Sequence, residues 1–480
     1  YGGYHTWIDP STGNKLNLAT TNPLADIYLR DDSAEVRRIV TNAKFDYNIH
    51  GFEDFTATIN IGLDKSNSHG RTLTSDLYPT SDANFTGSFG GYGNEATNKL
   101  FDAYVTYTKE INDDHNINIV AGHSYQSFEY DNFSFSRDFT TGIETTGGID
   151  KSKNVLLSYF GRANYGYKSK YLLTATLRAD ASSKLNPNDR WGYFPSIAAA
   201  WNISNEDFMQ DSKFDDLKLR VGYGEVGNVN GLGDYLFLTR YNASQGTAGY
   251  QFGTSFYQTY RPQPINENLR WEIGKTLNIG LDYSLYNRRV SGSINVYKRE
   301  TKDLIASALV DPFTNFANRI DSNIGDMENK GIELSFDYTP IQNENFEWSI
   351  NYNVAFNDNK VTRLPFDQAV GGISGGVGNN IQTHTEGQTP YSYLVYQQVY
   401  DTTGTAIEGV YVDRNGDDII NDDDRYIKES PFAVITDITR NPNQLRALSL
   451  STIIMLGHFS IIPYISPTLV ANVGFSQDNI

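Results

Sequence analysis

The stretch DRNGDDIINDDD places oxygen-bearing side chains at its first, third, fifth, ninth and twelfth positions: Asp413, Asn415, Asp417, Asn421 and Asp424. Ile419, at the seventh, offers a backbone carbonyl. Calcium takes about six to eight oxygens, and this spacing wraps a turn of chain around one ion. Six aspartates within these twelve residues repel one another, a repulsion that a bound cation relieves. Two residues depart from the pattern of a helix-flanked calcium loop. Asp418 stands where such loops use glycine for the sharp turn, and Asp424 replaces the longer, bidentate glutamate. The flanks, AIEGVY before and Pro431 after, carry no helical pattern, so a helix-opening calcium switch is not expected. Two readings stand: a structural calcium site, or a solvated acidic turn rich in Asn and Gly.

Nothing else in the chain has the spacing of a catalytic site, and no enzyme activity is expected. The seven histidines are scattered, without an HExxH pair. His123 continues the apolar side of a strand pattern and reads as a wall residue. GYGNEA (91–96) and GGISGGVGNN (371–380) are glycine-rich, but neither joins a strand to a helix as a phosphate loop does, and both read as outer loops. Stretch 227–270 carries Tyr235, Phe237, Tyr241, Tyr250, Phe252, Phe256, Tyr257 and Tyr260. These rings either stack on sugars, meet a partner protein, or pack within their own loop. A net charge of -18 argues against nucleic acid as a partner, since binding it releases counterions through basic side chains. With no cysteine there are no disulfides and no thiolate metal sites. Beyond the structural calcium, no cofactor is required.

The elements that carry these residues are strands. Phe55, Ala57, Ile59, Ile61 and Leu63 alternate with Thr56, Thr58, Asn60 and Gly62. The same period recurs over 101–107, 117–121, 217–223, 277–285 and 346–356, the last with Asn351 and Asn353 on its polar side. Side chains alternate across a strand, so each segment has one apolar and one polar face. Roughly twelve such segments, most of about ten residues, lie between Val36 and Asn357. A strand of about 9–11 residues crosses a bilayer, whereas globular strands average about 5–6.

Short turns (167–170, 286–289, 339–347) alternate with long polar stretches (64–99, 127–154, 227–270, 299–330, 357–390), read as loops. Short inner turns and long outer loops are the habit of a transmembrane barrel. Tyr165, Tyr167, Tyr171, Tyr283 and Tyr286 cluster at the short turns, where ring bodies meet lipid and hydroxyls meet water. Segment 346–356 follows a short turn and should run outward, which would place 413–424 outside the cell. A soluble secreted β-sheet protein that binds glycan and carries a calcium loop is the alternative, and a passive porin-like channel is a third reading.

Longer motifs narrow the choice. YFGRANYGYKSKYLLTATLRADASSKLNPNDRWGYFPSIAAAWNISNEDFM (159–209), LKLRVGYGEVGN (217–228), the stretch 266–305, NIGDMENKGIELSFDY (323–338) and EGQTPYSYLVY (386–396) followed by 410–427 resemble, in the same order, the barrel of SusC/RagA-type TonB-dependent transporters. The resemblance covers roughly 20 to 430. It implies a 22-stranded outer-membrane barrel of a Gram-negative bacterium, closed by an N-terminal plug. It also implies import of oligosaccharides or, less often, peptides beneath a SusD-like surface lipoprotein lid, driven through TonB. The chain opens on YGGYHTWIDP, without a leader, and reads as a fragment or a processed form. The plug, the TonB box and about four family strands are not seen ahead of it. An open sheet in lipid leaves backbone groups unpaired, so the 480 residues alone are expected not to conduct.

The expected fold is therefore all-β: an incomplete part of an antiparallel transmembrane β-barrel with long extracellular loops. Residues 1–35 read as a loop or partial strand, 36–430 as barrel, and 431–480 as an atypical tail. Only Asp437 and Asp478 of the 57 acidic residues lie in the tail, its alternation is lost, and Pro463 and Pro467 interrupt its longest apolar run. A changed reading frame near 431 accounts for this; an apolar helix is the rival. The other frames of the DNA decide: no barrel motif in any of them would end the frame-change account.

Overall fold

The computed structural model describes residues 3–11, 13, 15–16, 19–80, 85–112, 114–244, 248–315, 317–372 and 380–428. The tail from 431 lies outside the described residues. Two units divide at Phe366/Asp367.

In the first unit a short helix α1 (Pro23–Leu29) is capped by the Asn22 side chain, which accepts from the Leu24 N–H. The chain then runs through β1 (Arg30–Asn48), β2 (Phe55–Thr74), β3 (Ser88–Ile111), β4 (His115–Asp138), β5 (Glu144–Tyr167), β6 (Tyr171–Ser182), β7 (Trp191–Asn202) and β8 (Phe214–Asn228). Four three-residue strands follow: β9 (Tyr241–Ala243), β10 (Tyr250–Phe252), β11 (Ser255–Tyr257) and β12 (Tyr260–Pro262). They make two small ribbons, β9 with β12 and β10 with β11. The long strands resume with β13 (Glu272–Leu285), β14 (Val290–Leu309), β15 (Arg319–Gln342) and β16 (Glu347–Arg363).

Twelve of these strands form one antiparallel sheet in the order β1–β8 then β13–β16, each beside its neighbour in sequence. Among the described residues, β1 pairs only with β2, and β16 only with β15. Every residue of β1 is exposed.

The strand count agrees with the period-two pattern, but the lengths do not. The twelve strands run 12 to 24 residues, not about ten. Stretches 64–99, 127–154 and 299–330 are not loops. They are long hairpin arms, with short connections at 75–87, 139–143 and 310–318. A strand of 24 residues reaches about 80 Å, far more than a membrane needs. Only the part in lipid must be apolar on one face. Beyond it the backbone ladder continues while the alternation stops, so the outer arms look like loops to a pattern search. The inner turn expected at 339–347 is likewise shorter, because β15 continues to Gln342 through a register shift between Tyr338 and Ile341. Pro340 falls within that irregularity, where a missing N–H is tolerated.

Tight turns fix the register. Lys168 and Ser169 have φ of 50° and 55°, and Tyr286, Asn287 and Arg288 have φ of 57°, 56° and 61°. Positive φ at successive turn residues matches the right-handed twist of a hairpin.

In the second unit, β17 (Gln368–Gly372), β18 (Asn380–His384), β19 (Ser392–Val395) and β22 (Tyr426–Lys428) form a four-stranded sheet. β20 (Gln398–Tyr400) and β21 (Ala406–Tyr411) form a ribbon beside the acidic loop in sequence.

Candidate functional site

The large sheet has two chemically distinct faces. Pairing lines Phe45, Ile59, Ala103, His123, Tyr159 and Ala179 across β1–β6 on one of them. Farther along, Ala199, Val221, Ile279, Val296, Ile332 and Phe356 do the same across β7–β16. The result is an apolar band crossing all twelve strands. Its inner edge is aromatic. Phe55 and Tyr107 have ring centres 4.8 Å apart, Tyr167 meets His115 at a tilt at 5.0 Å and stacks on Tyr171 at 6.4 Å, and Tyr171 stacks on Trp201 at 6.3 Å. Of the tyrosines expected at the short turns, Tyr165, Tyr167 and Tyr171 join this edge through ring contacts. His123 lies on the apolar face against Tyr159, its Nδ1 2.9 Å from the Ser158 carbonyl, as a wall residue should.

The opposite face is polar and closes its own hydrogen bonds. Asn42 donates to Asn60 (2.8 Å), Asn60 to Asp102 (3.1 Å), and Ser124 to the other oxygen of Asp102 (2.6 Å). Nearer the inner turns, Asn118 donates to Thr108 (3.0 Å), Asn164 to Asn118 (3.1 Å) and Thr174 to Asn164 (2.9 Å). Arg220 grips Asp282 with two bonds of 2.7 Å and reaches Asn295 at 3.1 Å. Gly280 makes room for it: a Cβ there would stand 2.8 Å from Arg220 Nη2 and 2.6 Å from Asn295 Oδ1. Asn351 donates to Asp337, and Asn353 pairs opposite Ser335 on the same face. This face is a wall of amides and hydroxyls in which Arg220 is paired with Asp282 and the Asp102 and Asp337 carboxylates accept from neutral side chains.

Two rims escaped the pattern search. At the outer end, Leu185, Phe194, Val229, Leu232, Leu269 and Trp271 form a buried core. Phe194 and Trp271 meet edge to face at 5.4 Å, and the Trp271 indole donates to the Arg190 carbonyl at 2.9 Å. Gly227 is required here, since a Cβ would stand 2.1 Å from Phe194 Cζ and 2.7 Å from Trp271 Cε3. The aromatic hairpin beyond stays open to solvent, with Tyr250 60 % and Phe252 70 % exposed.

At the inner end, Glu206, in the turn between β7 and β8, accepts from the Tyr171 hydroxyl (2.6 Å), Lys170 Nζ (2.9 Å) and the Trp201 indole (3.0 Å). Those bonds, Tyr171 first, hold its carboxyl down to about 2. Asn202 and Asn205 both donate to the Ser169 carbonyl, so two successive turns are locked together.

The acidic loop of the second unit closes on itself. Asp413 accepts from the Gly416 N–H (2.6 Å) and the Asp418 N–H (2.7 Å). Asn415 accepts from the Asp417 N–H (3.1 Å), and Asp417 from the Ile419 N–H (2.8 Å). Asn421 caps the short turn Asp422–Asp424 by accepting from Asp423 at 2.7 Å. Asp424 is fully buried and takes N–H bonds from Asn421 (2.9 Å), Arg414 (2.8 Å) and Asn415 (3.4 Å). The Asn421 bond leads in holding its carboxyl below the ordinary range. Asp418 sits at φ 62°, a left-handed position that aspartate tolerates better than most residues. Among the described residues, no three acidic or histidine side chains converge as they would around a metal ion. Ile419 is exposed.

An apolar band with an aromatic girdle on one face and a polar face behind it is the wall of an outer-membrane β-barrel. The chain belongs to the family described as TonB dependent receptor-like, beta-barrel, which matches residues 1–441. It is of the SusC/RagA type and is an outer-membrane protein of a Gram-negative bacterium. It is 35 % identical over 457 residues to the TonB-dependent receptor SusC of Bacteroides thetaiotaomicron, covering 90 % of this chain and 45 % of that protein. To the TonB-dependent receptor P26 of Formosa agariphila it is 33 % identical over 379 residues, covering 71 % and 36 %. Among solved structures, the RagAB peptide transporter superposes with a TM-score of 0.71 at 21 % identity, covering 84 % of this chain and 45 % of that one, a likeness of fold. The chain spans less than half the length of these relatives.

Proposed function

We propose that this chain is the barrel part of a TonB-dependent importer, and that its solute is an oligosaccharide passing along the polar wall. The wall itself carries the proposal. Asn42, Asn60 and Ser124 in one hydrogen-bonded ladder, and Asn118, Asn164 and Thr174 in a second nearer the inner turns, offer amide and hydroxyl groups complementary to sugar hydroxyls. The complete protein then works with a SusD-like surface lipoprotein over the outer rim and with TonB on the inner side, and does no chemistry on its cargo. Peptide is the competing cargo, favoured by the peptide importer whose fold this sheet shares. Growth of a strain lacking the gene separates them. Loss of growth on an oligosaccharide mixture, with growth on peptides intact, is the expected result; the reverse overturns the glycan assignment.

For the acidic loop we infer a self-capped turn that stands without an ion. The N–H bonds that Asp413, Asn415, Asp417, Asn421 and Asp424 accept close the turn without a cation, whereas a calcium ion bound through these residues and the Ile419 carbonyl would have to use their remaining lone pairs. Calorimetric titration with calcium at extracellular, millimolar levels should release no binding heat. Saturable heat that Asp413→Ala abolishes would restore the calcium site.

A further inference from the structure

The long connection between β8 and β13 meets the outer ends of β14 and β15, and a cavity of about 150 Å³ lies between them. Its floor is apolar: Leu269 is buried in the outer core and Leu236 packs against that core. Its walls carry two guanidinium groups, Arg240 from the connection and Arg319 from the start of β15. These walls are pinned to each other. The Asn266 amide donates to the Asp321 carbonyl at 2.9 Å while its oxygen accepts from the Asn268 N–H at 3.0 Å. Asn323 donates to the Arg270 carbonyl (2.9 Å) and the Asp303 carbonyl (2.7 Å). Register sets Ser307 opposite Asp321 and Leu309 opposite Arg319.

Two other arginines of this rim have carboxylate partners: Arg270 meets Asp303 at 2.6 Å and Arg363 meets Asp326 at 3.0 Å. Arg240 and Arg319 differ. Among the described residues neither forms an ion pair, and the Arg240 Nε is buried without a hydrogen-bond acceptor. Asp321 shares the lining, so one carboxylate stands against two guanidinium charges and the cavity keeps an excess of positive charge. Two like charges that border one small cavity repel each other, and a buried N–H without an acceptor is costly. An oxyanion between the two side chains relieves both. The chain's net charge of -18 exerts no general pull on anions, so selection for one has to come from this cavity.

We propose that the cavity is a subsite for the charged substituent of an acidic sugar, a carboxylate or a sulfate ester, with Arg240 and Arg319 as its donors. Guanidinium forks present paired N–H groups that match the oxygens of such a group, and the apolar floor strengthens the bonds by excluding water from one side. At about 150 Å³ the cavity is smaller than the roughly 300–1,000 Å³ of pockets that enclose whole small molecules, so it takes one substituent while the rest of the glycan stays outside. The subsite lies at the outer end of the sheet, where a solute arrives. The inference rests on the oligosaccharide reading and narrows it to acidic glycans.

The test applies the complete receptor, purified in detergent and fluorescently labelled, to an array of oligosaccharides that carry uronic acids, sulfate esters or neither, each charged member beside its carboxyl-reduced or desulfated counterpart. The strongest binders should be charged, and whether they are uronic or sulfated identifies the substituent. Their uncharged counterparts should bind roughly tenfold more weakly. In the double variant R240Q/R319Q that advantage should vanish, with binding of the uncharged members unchanged. Where heat-modifiable gel mobility shows that the double variant has not folded, R319Q is read instead, with a loss of roughly threefold expected for the charged members alone. Equal binding of charged and uncharged members, or an advantage that the folded variants keep, overturns the subsite and leaves the oligosaccharide reading standing. Binding to no sugar at all overturns both.

Discussion

The two rims of the sheet are held by different forces. At the outer rim, Leu185, Phe194, Leu269 and Trp271 exclude water from a small core beneath a long connection. At the inner rim, one carboxylate, Glu206, gathers a hydroxyl, an ammonium and an indole N–H. Apolar packing is sensitive to volume and indifferent to protons. A charge-assisted clamp is the reverse. The difference follows from what each rim must hold: the outer one anchors the 43 residues between β8 and β13, and the inner one joins turns of a few residues.

The largest expected effect tests the outer rim. Trp271→Ala should cost about 3–5 kcal/mol, the range for removing a large buried aromatic side chain. Limited trypsin digestion should then cut at Arg240 well before the barrel strands, and the ratio of loop to strand cleavage should be the same at pH 6.5 and pH 8. A pH-dependent loss would break the contrast. Next, Gly227→Val forces Phe194 and Trp271 apart and should cost about 1–3 kcal/mol as overpacking, read in denaturant unfolding.

Glu206→Gln keeps the shape of the inner clamp but removes its charge, and should lower unfolding stability at neutral pH by less than the two outer changes. The sign with pH follows from its lowered pKa. The contribution is fully present above about 4.5 and is lost as pH falls through about 2. Stability of the parent should therefore fall across that window more steeply than that of the Gln variant. Parallel curves would remove Glu206 from the account. The smallest effect belongs to the second unit. Added calcium should leave its thermal unfolding within about 1 °C, since an ion that does not bind the native state does not stabilise it.

Much of the wall could be read directly. Phe55 to Leu63 and Leu277 to Leu285 announce their two faces because lipid on one side and water on the other impose a period of two. Pairs such as Asn60 with Asp102 could not be read, because they meet only once register is set across neighbouring strands. Of the acidic loop, spacing showed the oxygens but not the backbone N–H groups that bond to them.

The sequence by itself determined the class of fold, the polarity of each face and the membership of the family, because these depend on local alternation and on long ordered motifs. Tertiary structure alone decided how far each strand runs beyond the membrane, since a hydrogen-bonded ladder needs no apolar signature once it leaves lipid. It also decided which distant residues close the rims. Trp271 and Arg190 lie 81 positions apart, and Glu206 meets Lys170 across 36. No spacing rule spans such intervals; only the pairing of whole strands brings them into contact.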